Sequence, residues 1–238
     1  MALLWTLLWV DPLIILSTIF FGSISVALSL FDRSGRTMMA VARVWARSLL
    51  KIARVRATVE GLEKIDPRAA YVFASNHLSY MDTPTVLGNI PIQFRFMAKS
   101  GLFQIPFLGT HLMQAGHIPV PLENPRAAVK TLSLAGDTIR EKGISVLVFP
   151  EGGRSISGVL QEFKEGAAYI AIKAGVPVVP IALVGTRRIL PMGQMTFHSG
   201  RVRIRIGDPI PTQGLTLRDR AQVTARMREQ IVAMLESQ

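Results

Sequence analysis

Cysteine is missing from all 238 residues, which excludes disulfides, thiolate metal sites and a cysteine nucleophile. Histidine is scarce. Only His77, His111, His117 and His198 are present, and no two stand four residues apart, so an imidazole metal centre has little to build on. Acidic side chains are few, 16 against 27 lysines and arginines, leaving a net charge of +11. Residues 1–31 lack charge almost entirely, with Asp11 as the one charged side chain. Internal repeats and low-complexity tracts are absent as well.

What is there fits these absences. A strongly basic balance calls for an anionic partner: nucleic acid, an anionic membrane or an acidic carrier. A hydrophobic content of 49% favours the membrane, and no nucleic-acid recognition motif is found. Residues 12–31 form an uncharged run that as a helix is roughly 30 Å long, enough to cross a bilayer core. Ahead of it, Trp5 and Trp9 sit four apart, on one face if that stretch is helical, as interfacial anchors often do. A secretory signal would need a basic n-region and a short apolar core, and the n-region is missing. Residues 1–31 are therefore expected to be a retained membrane anchor. It is either a span or, if Asp11 and Pro12 turn, a pair of helices dipping into a single leaflet.

Over residues 32–55 the pattern becomes amphipathic. Arg36, Arg43, Arg47, Lys51 and Arg54 fall within a stripe of ~80°, opposite Met38, Val41, Trp45, Leu49 and Ile52. Directly after an anchor this reads as an interfacial helix on an anionic membrane, with a helix packed on the domain as the alternative. The positive-inside rule puts this side in the cytoplasm. From residue 56 to 238 short apolar runs alternate with helical patterns, so a single α/β domain is expected, with a mostly parallel or mixed sheet flanked by helices. Strands are expected at 56–60, 71–75, 94–98, 117–120, 145–149, 178–184 and 201–206. Helices are expected at 84–88, 125–142, 165–174 and 217–235, the second punctuated by Asn124 as cap and Gly143 as stop.

Three polar clusters follow expected strands: SNHLSYMD at 75–82, FPEGGRS at 149–155, and Lys99 after FRFMA. In α/β sheets, sites assemble beyond the carboxyl ends of the strands. His77 titrates near neutrality and suits a general base, with Asp82 to orient its ring. Gly152 and Gly153 with Arg154 suit a turn that approaches an anion, and Glu151 either holds a substrate hydroxyl or orients the loop. Each cluster alone has a plain alternative: Asp82 as a helix cap, and the two glycines as a simple turn.

Taken together, the blocks resemble the glycerolipid acyltransferases typified by 1-acylglycerol-3-phosphate acyltransferase (lysophosphatidic acid acyltransferase). NHLSYMD matches the family's NHxxxxD block, and MAKSGLFQIPFLG with GHIPV looks like the second block. FPEGGRS is similar to FPEGTRS, and VPVVPIAL to the apolar fourth block. The resemblance implies transfer of a fatty acyl group from acyl carrier protein or coenzyme A to a glycerolipid hydroxyl, with no acyl-enzyme and no other cofactor or metal. His77 would be the base, oriented by Asp82. Asn76, Lys99, Glu151, Gly152, Gly153 and Arg154 would meet the substrate, with Arg154 near phosphate. Its implied partners are membrane lipids and the acyl donor. Two departures stand out: glycine replaces threonine at 153, and 116–123 lacks the arginine that often ends the second block. Another lysophospholipid or an aminoacyl lipid is the alternative acceptor, and a noncatalytic membrane-binding module the alternative class.

Overall fold

The alternating apolar runs build a seven-stranded sheet in the computed structural model of the chain, which describes residues 1–237. Its strands are β1 (Val55–Glu60), β2 (Val72–Ser75), β3 (Phe94–Lys99), β4 (Ile118–Val120), β5 (Ser145–Val148), β6 (Val178–Val184) and β7 (Gly200–Ile206). Across the sheet they run β1-β7-β6-β2-β5-β3-β4. Neighbours are parallel throughout except for β6 and β7. Every expected strand forms, with no end displaced by more than one residue. The central strands are apolar on both sides because both faces are covered. Phe73, Leu147 and Ile181 point to one layer, and Val72, Val146 and Ala182 to the other.

At the amino end, α1 (Ala2–Trp5) and α2 (Asp11–Ser29) join through a π-helical turn, Thr6–Val10, into one unbroken helix. Asp11 and Pro12 do not form a turn. The wide π turn comes just before Pro12, so the helix loosens where the proline offers no N–H. Then come α3 (Arg36–Ile52), α4 (Asp82–Asn89), α5 (Leu108–Gln114), α6 (Pro125–Lys142), α7 (Gly166–Ala174), α8 (Thr186–Ile189) and α9 (Arg220–Glu236). Asn124 does cap α6, accepting from the Ala127 amide at 3.1 Å, and Gly143 closes it at φ 61°. α5 and α8 are additions to the expected set. α3 and α4 cover one face of the sheet, and α6, α7 and α9 cover the other.

α2 runs back along α3, tied to it by Ser17 with Ser48 at 2.7 Å and by the Trp45 indole to Thr18 at 3.2 Å. Further ties reach the domain. The Phe197 amide donates to Thr6 at 3.0 Å, and Ser25 meets His111 of α5 at 2.6 Å. α3 itself is packed into the domain, with Met39, Ala42 and Ala46 in the core. Two residues of its basic stripe are engaged. Arg43 donates to the Ile92 carbonyl in the loop after α4, and Arg47 to the Gly88 carbonyl in the last turn of α4 at 2.6 Å. Arg36, Arg47, Lys51 and Arg54 stay exposed, and Arg43 is half-buried. Four of the five stripe residues thus still face solvent, and Arg47 also meets an orphan carbonyl at the end of α4.

Candidate active site

The site is built at the carboxyl ends of β2 and β5, where the chain leaves two central strands side by side. Asn76 fixes the exit of β2. Its side-chain amide accepts from the Leu183 amide at 2.7 Å and donates to the Leu183 carbonyl at 3.1 Å. This side chain is 0% exposed, so Asn76, expected to contact substrate, instead extends the β2–β6 ladder. His77 follows. Its Nδ1 lies 2.9 Å from Oδ2 of Asp82, and that oxygen also accepts from the Leu78 and Ser79 amides at 2.7 Å each. With Oδ2 already an acceptor for two amides, the ring nitrogen donates, leaving the lone pair on Nε2. Asp82 points back at this loop and makes no cap bond to its own helix, which disposes of the plain-cap alternative.

The His77 ring stacks on Phe149, with centroids 3.8 Å apart and planes 11° apart. Burial lowers the imidazole pKa from its ordinary value, and the Arg154 charge adds to this, while the bond and charge of Asp82 oppose it. The neutral base is therefore the resting form at neutral pH. Glu151 joins the two loops: Oε1 accepts from the His77 amide at 2.6 Å and Oε2 from the Gln161 amide at 2.9 Å. Each oxygen holds a backbone amide of a different loop, so the geometry favours the orienting one of its two expected roles. Burial pushes its carboxyl above the usual range, against those two amide bonds. The Ser155 amide closes the joint by donating to the His77 carbonyl at 3.0 Å.

Arg154 reaches over the loop with its guanidinium 4.3 Å from the centroid of the Tyr80 ring and its Nε 3.4 Å from the Ser79 carbonyl. The cation is half-buried and fixed in orientation, yet no carboxylate pairs with it among the described residues. Gly152 adopts φ 76°, and a Cβ there would meet the Lys164 ammonium at 2.8 Å. Lys164 thus lies against the turn, a cation the sequence motifs did not single out. Lys99 is elsewhere engaged, paired at 2.9 Å with Glu123, and makes no contact with the cluster. Phe149 and Ser79 were also unremarked, although the aromatic before PEGG was a visible signal.

A buried histidine–carboxylate pair beside an unpaired guanidinium, at strand ends of an α/β sheet, is an arrangement suited to proton abstraction next to an anion. The Acyltransferase family model matches residues 56–184, and the chain belongs to that family. The 1-acyl-sn-glycerol-3-phosphate acyltransferase BAT2, chloroplastic, of Brassica napus is 39% identical over 184 residues, covering 76% of this chain and 53% of that protein. LPAT1, chloroplastic, of Arabidopsis thaliana, with the same enzyme name, is 40% identical, covering 71% and 48%. The chain spans about half the length of these two curated relatives. The crystal structure of the 1-acyl-sn-glycerophosphate (LPA) acyltransferase PlsC from Thermotoga maritima superposes with a TM-score of 0.81 at 27% identity, covering 100% of this chain and 97% of that one.

Proposed function

We propose that the chain transfers a fatty acyl group from a thioester, on acyl carrier protein or coenzyme A, to the free hydroxyl of 1-acylglycerol-3-phosphate, forming phosphatidic acid for phospholipid synthesis. The observation that carries the reading is the His77–Asp82 contact of 2.9 Å, with the far ring nitrogen free and Arg154 alongside. Nε2 takes the hydroxyl proton while the oxygen attacks the thioester carbonyl. The new C–O bond forms, the C–S bond breaks, and the imidazolium returns the proton to the leaving thiolate. Nearby serines support direct transfer without an acyl-enzyme. Ser79 Oγ donates to the Leu190 carbonyl at 2.8 Å, and Ser155 Oγ is occupied by Ser157 and the Gly158 amide.

Arg154, with Lys164 beside Gly152, supplies the charge that the second block lacks, and this pair favours a phosphate monoester over a zwitterionic headgroup. The anchor lies flat. One side of the helix from Ala2 to Ser29 packs on α3, and the other exposes Leu8, Leu16, Ile19 and Phe20. A transbilayer span would carry Arg36, Lys51 and Arg54 of α3 into the hydrocarbon with it, so a monotopic seat on the cytoplasmic face is favoured. Purified protein supplied with labelled acyl donors and a panel of lysolipids tests the reading. Product from lysophosphatidate above all others is expected, and preferential acylation of a phosphate-free acceptor would overturn it.

A further inference from the structure

We propose that the open face of β1 and β7, with α8 at its edge, is the docking surface for a small acidic protein carrying the acyl group as a thioester; this rests on the acyl-transfer reading above. Residues 166–207 contain no Asp or Glu, yet they include Lys173, Arg187, Arg188, Arg201, Arg203 and Arg205. The parallel register sets Arg56 beside Arg201 and Thr58 beside Arg203. Because side chains alternate along a strand, Arg201 and Arg203 share one face while Val202 and Ile204 turn to the other. Val202 packs with Val10 and Leu50, and Ile204 with Ala42 and Ala46, so the arginine face looks away from α2 and α3. α9 reaches only the far end of that face, where Arg205 donates to the Met234 carbonyl at 2.6 Å and pairs with Glu60 at 3.0 Å. Arg56 and Arg201 stay exposed and Arg203 half-buried. Among the described residues none of these three, nor Arg188, has an ion-pair partner.

The patch lies at the catalytic end of the sheet. β6 ends beside Asn76, and β7 starts there because it runs antiparallel to β6. A Cβ on Gly185 would stand 2.6 Å from the Arg201 carbonyl, so the end of β6 and the start of β7 are in contact. β7 is two strands from β2, roughly 10 Å across the sheet at the usual strand spacing. Between them, Gly185, Arg187, Arg188 and Pro191 line a shallow depression, and Pro191 bridges to Ser79 in the site. Arg187 pins the adjoining loop through the Ile156 and Ser157 carbonyls. Charge spread over a flat sheet face suits an extended acidic surface better than a small anion. The apolar face of α2 and the arginine face lie on opposite sides of the sheet, so the patch faces away from lipid. Donor and acceptor then approach the same edge from opposite sides.

The test uses full-length protein with two donors of the same chain length, acyl carrier protein thioester and acyl-coenzyme A, at several salt concentrations. An Arg56→Glu, Arg201→Glu, Arg203→Glu triple variant is expected to lose at least ~10-fold of kcat/KM with the carrier-protein donor and most of its salt dependence. Use of acyl-coenzyme A, the acceptor KM and sedimentation with anionic vesicles are expected to be unchanged. The corresponding triple lysine variant keeps the charge and is expected to keep carrier use. A triple glutamine variant serves if the glutamate form does not fold. Equal loss with both donors, no loss, loss of vesicle binding, or a wild-type protein that ignores the carrier-protein donor would each overturn the proposal. Absence of transfer from any thioester by the wild-type protein would instead overturn the acyl-transfer reading beneath it.

Discussion

His77 is held from three directions: by Asp82 at Nδ1, by Phe149 over its ring and by Glu151 at its amide. In the proposed role of base it performs only while neutral, and its pKa is lowered first by burial and then by Arg154, against Asp82. kcat/KM is therefore expected to stay level through neutral pH and to fall on the acid side, below the ordinary histidine value, as the ring takes up a proton. Arg154→Gln removes one of the lowering causes, so the acid limb is expected to move to higher pH in the pH–rate profile. His77→Ala is expected to cost at least ~100-fold in turnover with the fold retained by circular dichroism. At Gly153 a Cβ meets nothing within 4 Å and φ is not positive, so the position accepts a side chain's first carbon without strain. Gly153→Ala is expected to raise stability by about 0.4–1 kcal/mol in denaturant titration, since it narrows the unfolded ensemble. Asn76 and Glu151 mark what a motif leaves unread. It groups residues by chain position, whereas only the fold reveals which oxygens and amides the backbone has already consumed.

Among the elements, the sheet was readable because β2, β5 and β6 are apolar runs of strand length and β7 alternates apolar with basic residues, and α6 because Asn124 and Gly143 bracket it. α5 and α8, of seven and four residues, are too short to show a helical period. α3 shows its period plainly, but the carbonyls that Arg43 and Arg47 serve lie 49 and 41 residues away in sequence. No local pattern reports such a distant acceptor. Arg47→Ala would leave the Gly88 carbonyl without its charged donor. A loss of roughly 1.5–3 kcal/mol in unfolding free energy is expected, and Arg47→Lys is expected to recover only part of it.

For the molecule as a whole, the long amino-terminal helix is both a wall of the domain and its exposed apolar flank. Its ties at Thr6, Ser17, Thr18 and Ser25 run along its whole length, so it is seated as a unit rather than hinged. High salt is expected to leave the intact protein on vesicles, because apolar burial is not screened as surface charge pairs are. Leu16→Ser with Phe20→Ser, two residues 62% and 60% exposed, is expected to shift much of the protein to the supernatant on sedimentation without lowering its thermal midpoint. Retention of that variant on the vesicles at high salt would contradict the flat seating.

A helix that lies flat works on one monolayer only. Under the proposed reaction, each turnover there would replace a lipid with one tail by a lipid with two, while the headgroup keeps its phosphate. The area demanded by the tails rises on that side, and the opposite monolayer receives none of it. The preferred shape of the working monolayer shifts from convex towards flat, and the two sides acquire unequal areas. On the proposed reading, membrane growth through this protein is also a source of bending stress, relieved only when lipid crosses to the other side.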